Sequence, residues 1–213
     1  MSKSVRFRVL TKELNRLKKQ FIPKINPTGS YSDRQLALTL GYRVFAHAEI
    51  EAYFEDRVRE VAINATKNWK SQGKTCRTLI CLLAFSGQMR EGASDKQSPT
   101  KESTKIKEEK IKINEKIDSA SKSFHRVINQ NHGIKEANLL ALLLPIGIDD
   151  DDLDTAWLAT MNAFGQERGV VAHTSATSGQ TIRVLNPINE LRRVEQIIQE
   201  LLRVDELIDN LMK

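Results

Sequence analysis

From Asp33 to about Ser71 the sequence contains no proline and keeps its apolar residues at helical spacing. Leu36, Leu40, Val44, Ala48, Ala52, Glu55, Val58 and Ala62 fall on one stripe, with Leu38, Tyr42, Phe45 and Phe54 beside it. Ser32 stands where a cap satisfies the first free amides. The spacing predicts a single helix of about ten turns, longer than a globular domain normally uses. The rest of the chain also reads as helical. Thr11 is placed to cap a short helix that carries Leu10, Leu14, Leu17 and Phe21, ended by Pro23 and the Asn26-Pro27-Thr28-Gly29 cluster. Thr78 to Phe85 is a short apolar segment, followed by a polar loop over about 86–104. Lys101 to Asn131 is rich in Lys and Glu, with Ile106, Ile113, Ile117, Phe124, Val127 and Ile128 forming a narrow apolar seam. Glu136 to Leu144 is apolar nearly all round, a short buried helix stopped by Pro145 and Gly147. Pro187 opens the last helix, whose stripe of Leu191, Val194, Ile198, Leu201 and Ile208 faces a core or a second copy. Only Thr181 to Leu185 alternates with period two. The expectation is an all-α fold: a basic arm or short helix over residues 1–30, then one helical domain over 31–213.

Charge is distributed unevenly. Residues 1–24 hold eight basic side chains and one acid, Glu13, a net +7, which leaves −1 for the remainder of a chain whose total is +6. The surface as a whole is therefore not a nucleic-acid-coating one; the arm is either the solvated face of a helix that carries Leu10, Leu14, Leu17 and Phe21 or a holder of a phosphate backbone through salt-sensitive contacts from Arg6, Arg8, Lys18 and Lys19. Aromatic residues make up 6% of the chain, which argues against stacking platforms for single strands. The longest apolar run, Leu139 to Pro145, is far short of the roughly 20 residues a membrane span needs, and Met1-Ser2-Lys3 leads into no apolar signal region, so a cytoplasmic location is expected. Cys76 and Cys81 lack a Cys-x-x-Cys or Cys/His pattern, which excludes a disulfide scaffold and a zinc finger and predicts buried free thiols.

Three groupings bear on chemistry. Asp149 to Asp152 and Asp154 lack the spacing of a calcium loop and precede a helix starting near Leu153, where acids meet the positive end of its dipole. His47 and Glu51 share one face of the long helix, an arrangement open to a general base pair, a metal ligand or a structural hydrogen bond; no His-Glu-x-x-His pattern supports metal. His125 and His132 fall near a helix end, where solvent or the dipole accommodates them. Arg168 and His173 supply a fixed cation for a phosphate and a group that exchanges a proton near neutral pH, the minimum for RNA cleavage without metal. In a regular helix residues five apart diverge by about 140° and 7.5 Å of rise, a separation that Gly169 relieves if the helix starts or distorts there.

Arg168-Gly169-Val170-Val171-Ala172-His173 has the Arg-x-x-x-x-His form that marks the HEPN superfamily. It follows Trp157 to Phe164, and the earlier long helix bears Ala46-His47-Ala48-Glu49-Ile50-Glu51-Ala52-Tyr53-Phe54-Glu55; together they resemble the RiboL-PSP-HEPN branch from about Arg34 to the C-terminus. The resemblance implies a HEPN-like antiparallel bundle and a metal-independent endoribonuclease without cofactor, acting on RNA. It makes Arg168 and His173 the catalytic pair, with His47 and Glu51 as supporting residues in the same cleft. It also implies a homodimer facing two Arg/His pairs across one cleft, through the last helix or the face carrying Trp157 and Phe164. A setting in phage defence or a toxin-antitoxin system follows, with an antitoxin or other defence protein as a further partner. The chain departs from the family pattern at Gly169, where a polar residue, often Asn, follows the Arg. The alternative is a catalytically inactive HEPN module that binds RNA or a partner protein.

Overall fold

A computed structural model of the chain describes residues 3–87, 113–173 and 185–213, the side chains of 169–173 excepted. The described residues form seven α-helices: α1 (Val5–Phe21), α2 (Asp33–Gln72), α3 (Arg77–Phe85), α4 (Ile113–Asn129), α5 (Glu136–Leu143), α6 (Thr155–His173) and α7 (Pro187–Asn210). No strand occurs among them. Most of the expected polar loop, Ile106 and most of the alternating segment lie outside the described residues.

The long helix forms as the sequence predicts. The Ser32 hydroxyl accepts from the Gln35 amide, the Gln35 side chain accepts from the Ser32 amide at 2.9 Å, and Gly73, at φ 65°, closes the other end with a 2.8 Å bond to the Trp69 carbonyl. Its buried face is rotated from the predicted stripe. Ala48 is exposed and Val44 and Ala52 are half-buried, whereas Ala46, Ile50, Tyr53, Phe54, Val58 and Val61 are interior. The rotation arises because other helices clothe α2 on several sides, so Arg43, His47 and Arg57 join the buried set.

The first helix starts earlier than Thr11. Ser4 is its cap, accepting from the Phe7 amide at 3.0 Å, while the Thr11 hydroxyl bonds back to the Phe7 and Arg8 carbonyls from inside the helix. Phe7, Leu10, Leu14 and Leu17 are buried against α2 and α7, so the helix read as a basic arm contributes one face to the core. In α4 the seam is Ile117, Ala120, Phe124 and Ile128, with Ile113 and Val127 exposed. Pro145 and Gly147, at φ 100°, end α5, and the Thr78 hydroxyl ties α3 to that turn through a 2.8 Å bond to the Ile146 carbonyl. Asp154 caps α6, accepting from the Trp157 amide at 2.7 Å, and Asp149 pairs with Arg77 at 2.6 Å. Cys76 and Cys81 are free but half-buried, and burial pushes the Cys81 thiol pKa up.

A buried charge cluster joins α1, α2 and α7. Asp205, fully enclosed, accepts from the Ser4 amide at 2.9 Å, the Ser4 hydroxyl at 2.7 Å and the Tyr53 hydroxyl at 2.7 Å. The Arg57 Nε lies 3.2 Å from the same carboxylate, an electrostatic contact whose alignment falls short of a hydrogen bond, and the guanidinium also pairs with Glu60 at 2.5 Å and with Asp209. Burial, followed by the Asp205 charge, holds the Tyr53 hydroxyl protonated well above the ordinary phenol range.

Candidate functional site

The segment that carries Arg168 is fixed by two side chains of α2. His47, 1% exposed, lies with its ring 5.9 Å from that of Phe164. One turn earlier on α2, Arg43 reaches Glu167 at 2.9 Å. Phe164 and Glu167 stand four residues and one residue before Arg168, so α2 grips the turn of α6 from which that guanidinium projects.

Arg43 belongs to a four-residue ionic cluster. Glu190, at the start of α7, takes it in two parallel bonds of 2.8 and 2.5 Å, both partners being almost fully buried. Arg193 holds Glu167 from the other side at 2.6 Å and lies 3.7 Å from Glu190. The two Arg and two Glu neutralise one another in place, which is what makes their burial tolerable. Arg168 differs from them. It is half-buried and makes no ion pair or hydrogen bond among the described residues. A partly desolvated guanidinium that meets no carboxylate among the described residues has a charge suited to an anion.

The other expected site residues fall as follows. His173 is the last residue of α6, and its side chain lies outside the described residues. The helix runs through Gly169 without ending or restarting there. His47 is interior rather than on the wall of an open cleft; its Nδ1 lies 3.5 Å from Glu51 Oε2 and has no hydrogen-bond partner among the described residues. Arg6 pairs with Asp56 at 2.8 Å and Lys18 with Glu195 at 3.0 Å, whereas Arg8 and Lys19 are exposed and unpaired among the described residues. Of the surfaces expected to hold a second copy, the Trp157 and Phe164 face is used within the protomer: both rings are buried, and the Trp157 indole donates to the Ile197 carbonyl at 3.2 Å. Val194, Leu201 and Ile208 of the last helix are likewise core residues.

Sequence reasoning missed Arg43, Glu167, Glu190 and Arg193. A signal was present in the pattern, because Glu190 and Asp205 occupy the apolar register of α7 together with Val194, Ile197, Leu201 and Ile208. Ionised residues on a core-facing stripe call for buried counterions.

The position of α6 also rests on one close approach. A β-carbon at Gly165 would lie 2.9 Å from Lys135 Cγ and 3.2 Å from the Lys135 backbone nitrogen, at the start of α5. Gly165→Ala is expected to cost about 1–3 kcal/mol, read as a lower urea midpoint; an unchanged midpoint would show that this crossing yields freely.

Among the described residues, no group of His, Cys, Asp and Glu side chains could hold a metal ion, and no helix is long and apolar enough to cross a membrane. No curated protein and no solved structure matches the chain. The RiboL-PSP-HEPN family model matches residues 6–212, taking in α1 as well as the region from Arg34 onward. HEPN-type domains are associated with ribonuclease and other RNA-related functions. With nearly the whole length matched, an all-α fold and the Arg-x-x-x-x-His segment on α6, the chain belongs to the RiboL-PSP-HEPN family.

Proposed function

We infer that the protein is a metal-independent endoribonuclease whose catalytic pair is Arg168 and His173, completed by a second copy of the chain. The observation that carries this reading is the half-buried Arg168, which has no counterion among the described residues, on a helix turn clamped through Phe164 and Glu167. In the reaction His173 takes the proton of a ribose 2′-hydroxyl, the 2′-oxygen attacks the adjacent phosphorus, and the bond to the 5′-oxygen breaks. A protonated imidazole returns a proton to that leaving oxygen. The products are a 2′,3′-cyclic phosphate and a 5′-hydroxyl, and Arg168 offsets the charge that develops on the phosphoryl oxygens.

The second copy answers a geometric need. Positions five apart on a regular helix diverge by about 140°, and α6 runs through Gly169 without a break. A two-fold pairing brings the Arg of one protomer toward the His of the other and supplies a second imidazole as the acid. His47 and Glu51 serve the site from behind, His47 by holding Phe164 in place. The cellular setting proposed is phage defence or a toxin-antitoxin system, with a defence-system protein as a further partner.

Purified protein incubated with total RNA tests the reading. Cleavage that leaves cyclic phosphate ends and persists in EDTA is the expected result. Salt-sensitive binding without cleavage would instead support the inactive RNA-binding module, which the small Gly169 favours.

A further inference from the structure

The basic residues of α1 divide into two sets. Arg6 and Lys18 are tied to acids of α2 and α7, whereas Arg8, Lys12, Arg16 and Lys19 are exposed. At about 100° per residue these four lie within about 80° of one another, on the side opposite Phe7, Leu10, Leu14 and Leu17. Three of them make no ion pair among the described residues; Arg16 pairs with Glu13 at 2.6 Å. Their four- and three-residue steps repeat at about 4.5–6 Å along the helix, a spacing commensurate with the phosphates of one extended strand.

Beside this ridge, between α1 and α7, runs a groove of about 300 Å³. Its apolar wall includes Leu191, Ile198 and Leu202, all half-exposed, and its rim carries Thr11, Asn15 and Gln199. The amides of Asn15 and Gln199 have no hydrogen-bond partner among the described residues. Thr11 and Asn15 line both the groove and the concavity along the ridge, so the two are continuous.

We propose that this face binds a single strand of RNA, with phosphates on Arg8, Lys12, Arg16 and Lys19 and an unstacked base in the α1–α7 groove. A duplex fits the arrangement poorly, because its outer surface is sugar and phosphate and offers nothing to an apolar groove lying directly beside the cations. A single strand can turn a base out of its stack, cover the exposed leucines and isoleucine, and meet the free amides with its polar edge. The groove also leads toward the candidate site. Tyr42 lies in its lining next to Arg43 in the chain, and Leu191 follows Glu190, so this end adjoins the cluster that holds Glu167 and, through it, the Arg168 turn. The identity of the polyanion rests on the RNA reading above.

Fluorescence anisotropy on the full chain carrying His173→Ala tests the proposal, using a short labelled single-stranded RNA and the same RNA annealed to its complement. The strand is expected to bind at least about tenfold tighter than the duplex, the gain expected if the base covers about 60 Å² of apolar surface in the groove. Lys12→Glu with Lys19→Glu is expected to weaken binding by about tenfold or more and to flatten the plot of log affinity against log salt by about 0.7 for each phosphate no longer neutralised. Asn15→Trp, which fills the groove from an exposed position, weakens strand binding without altering that slope. Lys67→Glu, exposed on α2, changes neither. Equal affinity for the duplex, indifference to the Lys12 and Lys19 reversals, or tighter binding of polyglutamate than of RNA would overturn the proposal. A native chain that binds the strand here and leaves it uncut defeats the nuclease reading alone. Cleavage with an unaltered KM after the double reversal defeats the strand site alone.

Discussion

Arg168→Ala and His173→Ala are each expected to lower RNA cleavage by on the order of 10²- to 10⁴-fold, the range spanned by a charge-stabilising donor and a positioned proton-transfer group. The Arg168 change should do so without loss of stability, because that guanidinium makes no ion pair or hydrogen bond with the described residues for its removal to break. The measurement is single-turnover cleavage beside a urea unfolding curve. Mixing the two variants adds a second readout. Each inactive chain retains the group the other lacks, so a site shared across a two-fold axis regains part of its rate in the mixed dimer, whereas a site closed within one protomer does not. Cleavage that survives His173→Ala, or that stops on chelation, defeats the mechanism.

The largest stability effect is expected at Asp205. Replacing it with alanine takes away the buried carboxylate beside the Arg57 Nε, leaving that guanidinium, 2% exposed, with only its more exposed partners Glu60 and Asp209, and removes the acceptor used by the Ser4 amide, the Ser4 hydroxyl and the Tyr53 hydroxyl. Breaking one side of a buried pair costs about 3–5 kcal/mol. A whole domain has about 5–15 kcal/mol of stability, so the variant should lose a large share of it. Glu60→Ala provides the contrast. Glu60 pairs with the same guanidinium at 2.5 Å, yet its side chain is 55% exposed, and solvent-screened pairs contribute about 0–1 kcal/mol. Chemical denaturation of the two variants checks the difference; a similar loss in both would mean that Asp205 acts through packing alone.

The elements defined by local signals are those the sequence shows best. Ser32 with Gln35 begins α2, Pro145 with Gly147 ends α5, Asp154 starts α6 and Pro187 starts α7, because capping and proline restriction depend on residues a few positions apart. The Arg-x-x-x-x-His segment is legible for the same reason. What depends on distant partners is not. The rotation of the buried face of α2 is set by the helices packed around it, so Ala48 fits the apolar period yet faces solvent, while Arg43 interrupts the pattern yet lies inside with Glu190. The basic residues of α1 look alike in sequence. Only the fold shows that Arg6 and Lys18 meet acids of other helices while Lys12 and Lys19 do not.

The bond between Ser4 and Asp205 spans 201 positions of the chain. During synthesis, therefore, the first helix can meet α2 early, but its anchor on α7 does not exist until residue 205 has left the ribosome. Contacts of such long range slow the final step of folding. A nascent chain, or one interrupted before residue 205, thus lacks the closed arrangement of α1, α2 and α7, and whatever that arrangement does begins only once translation has passed α7.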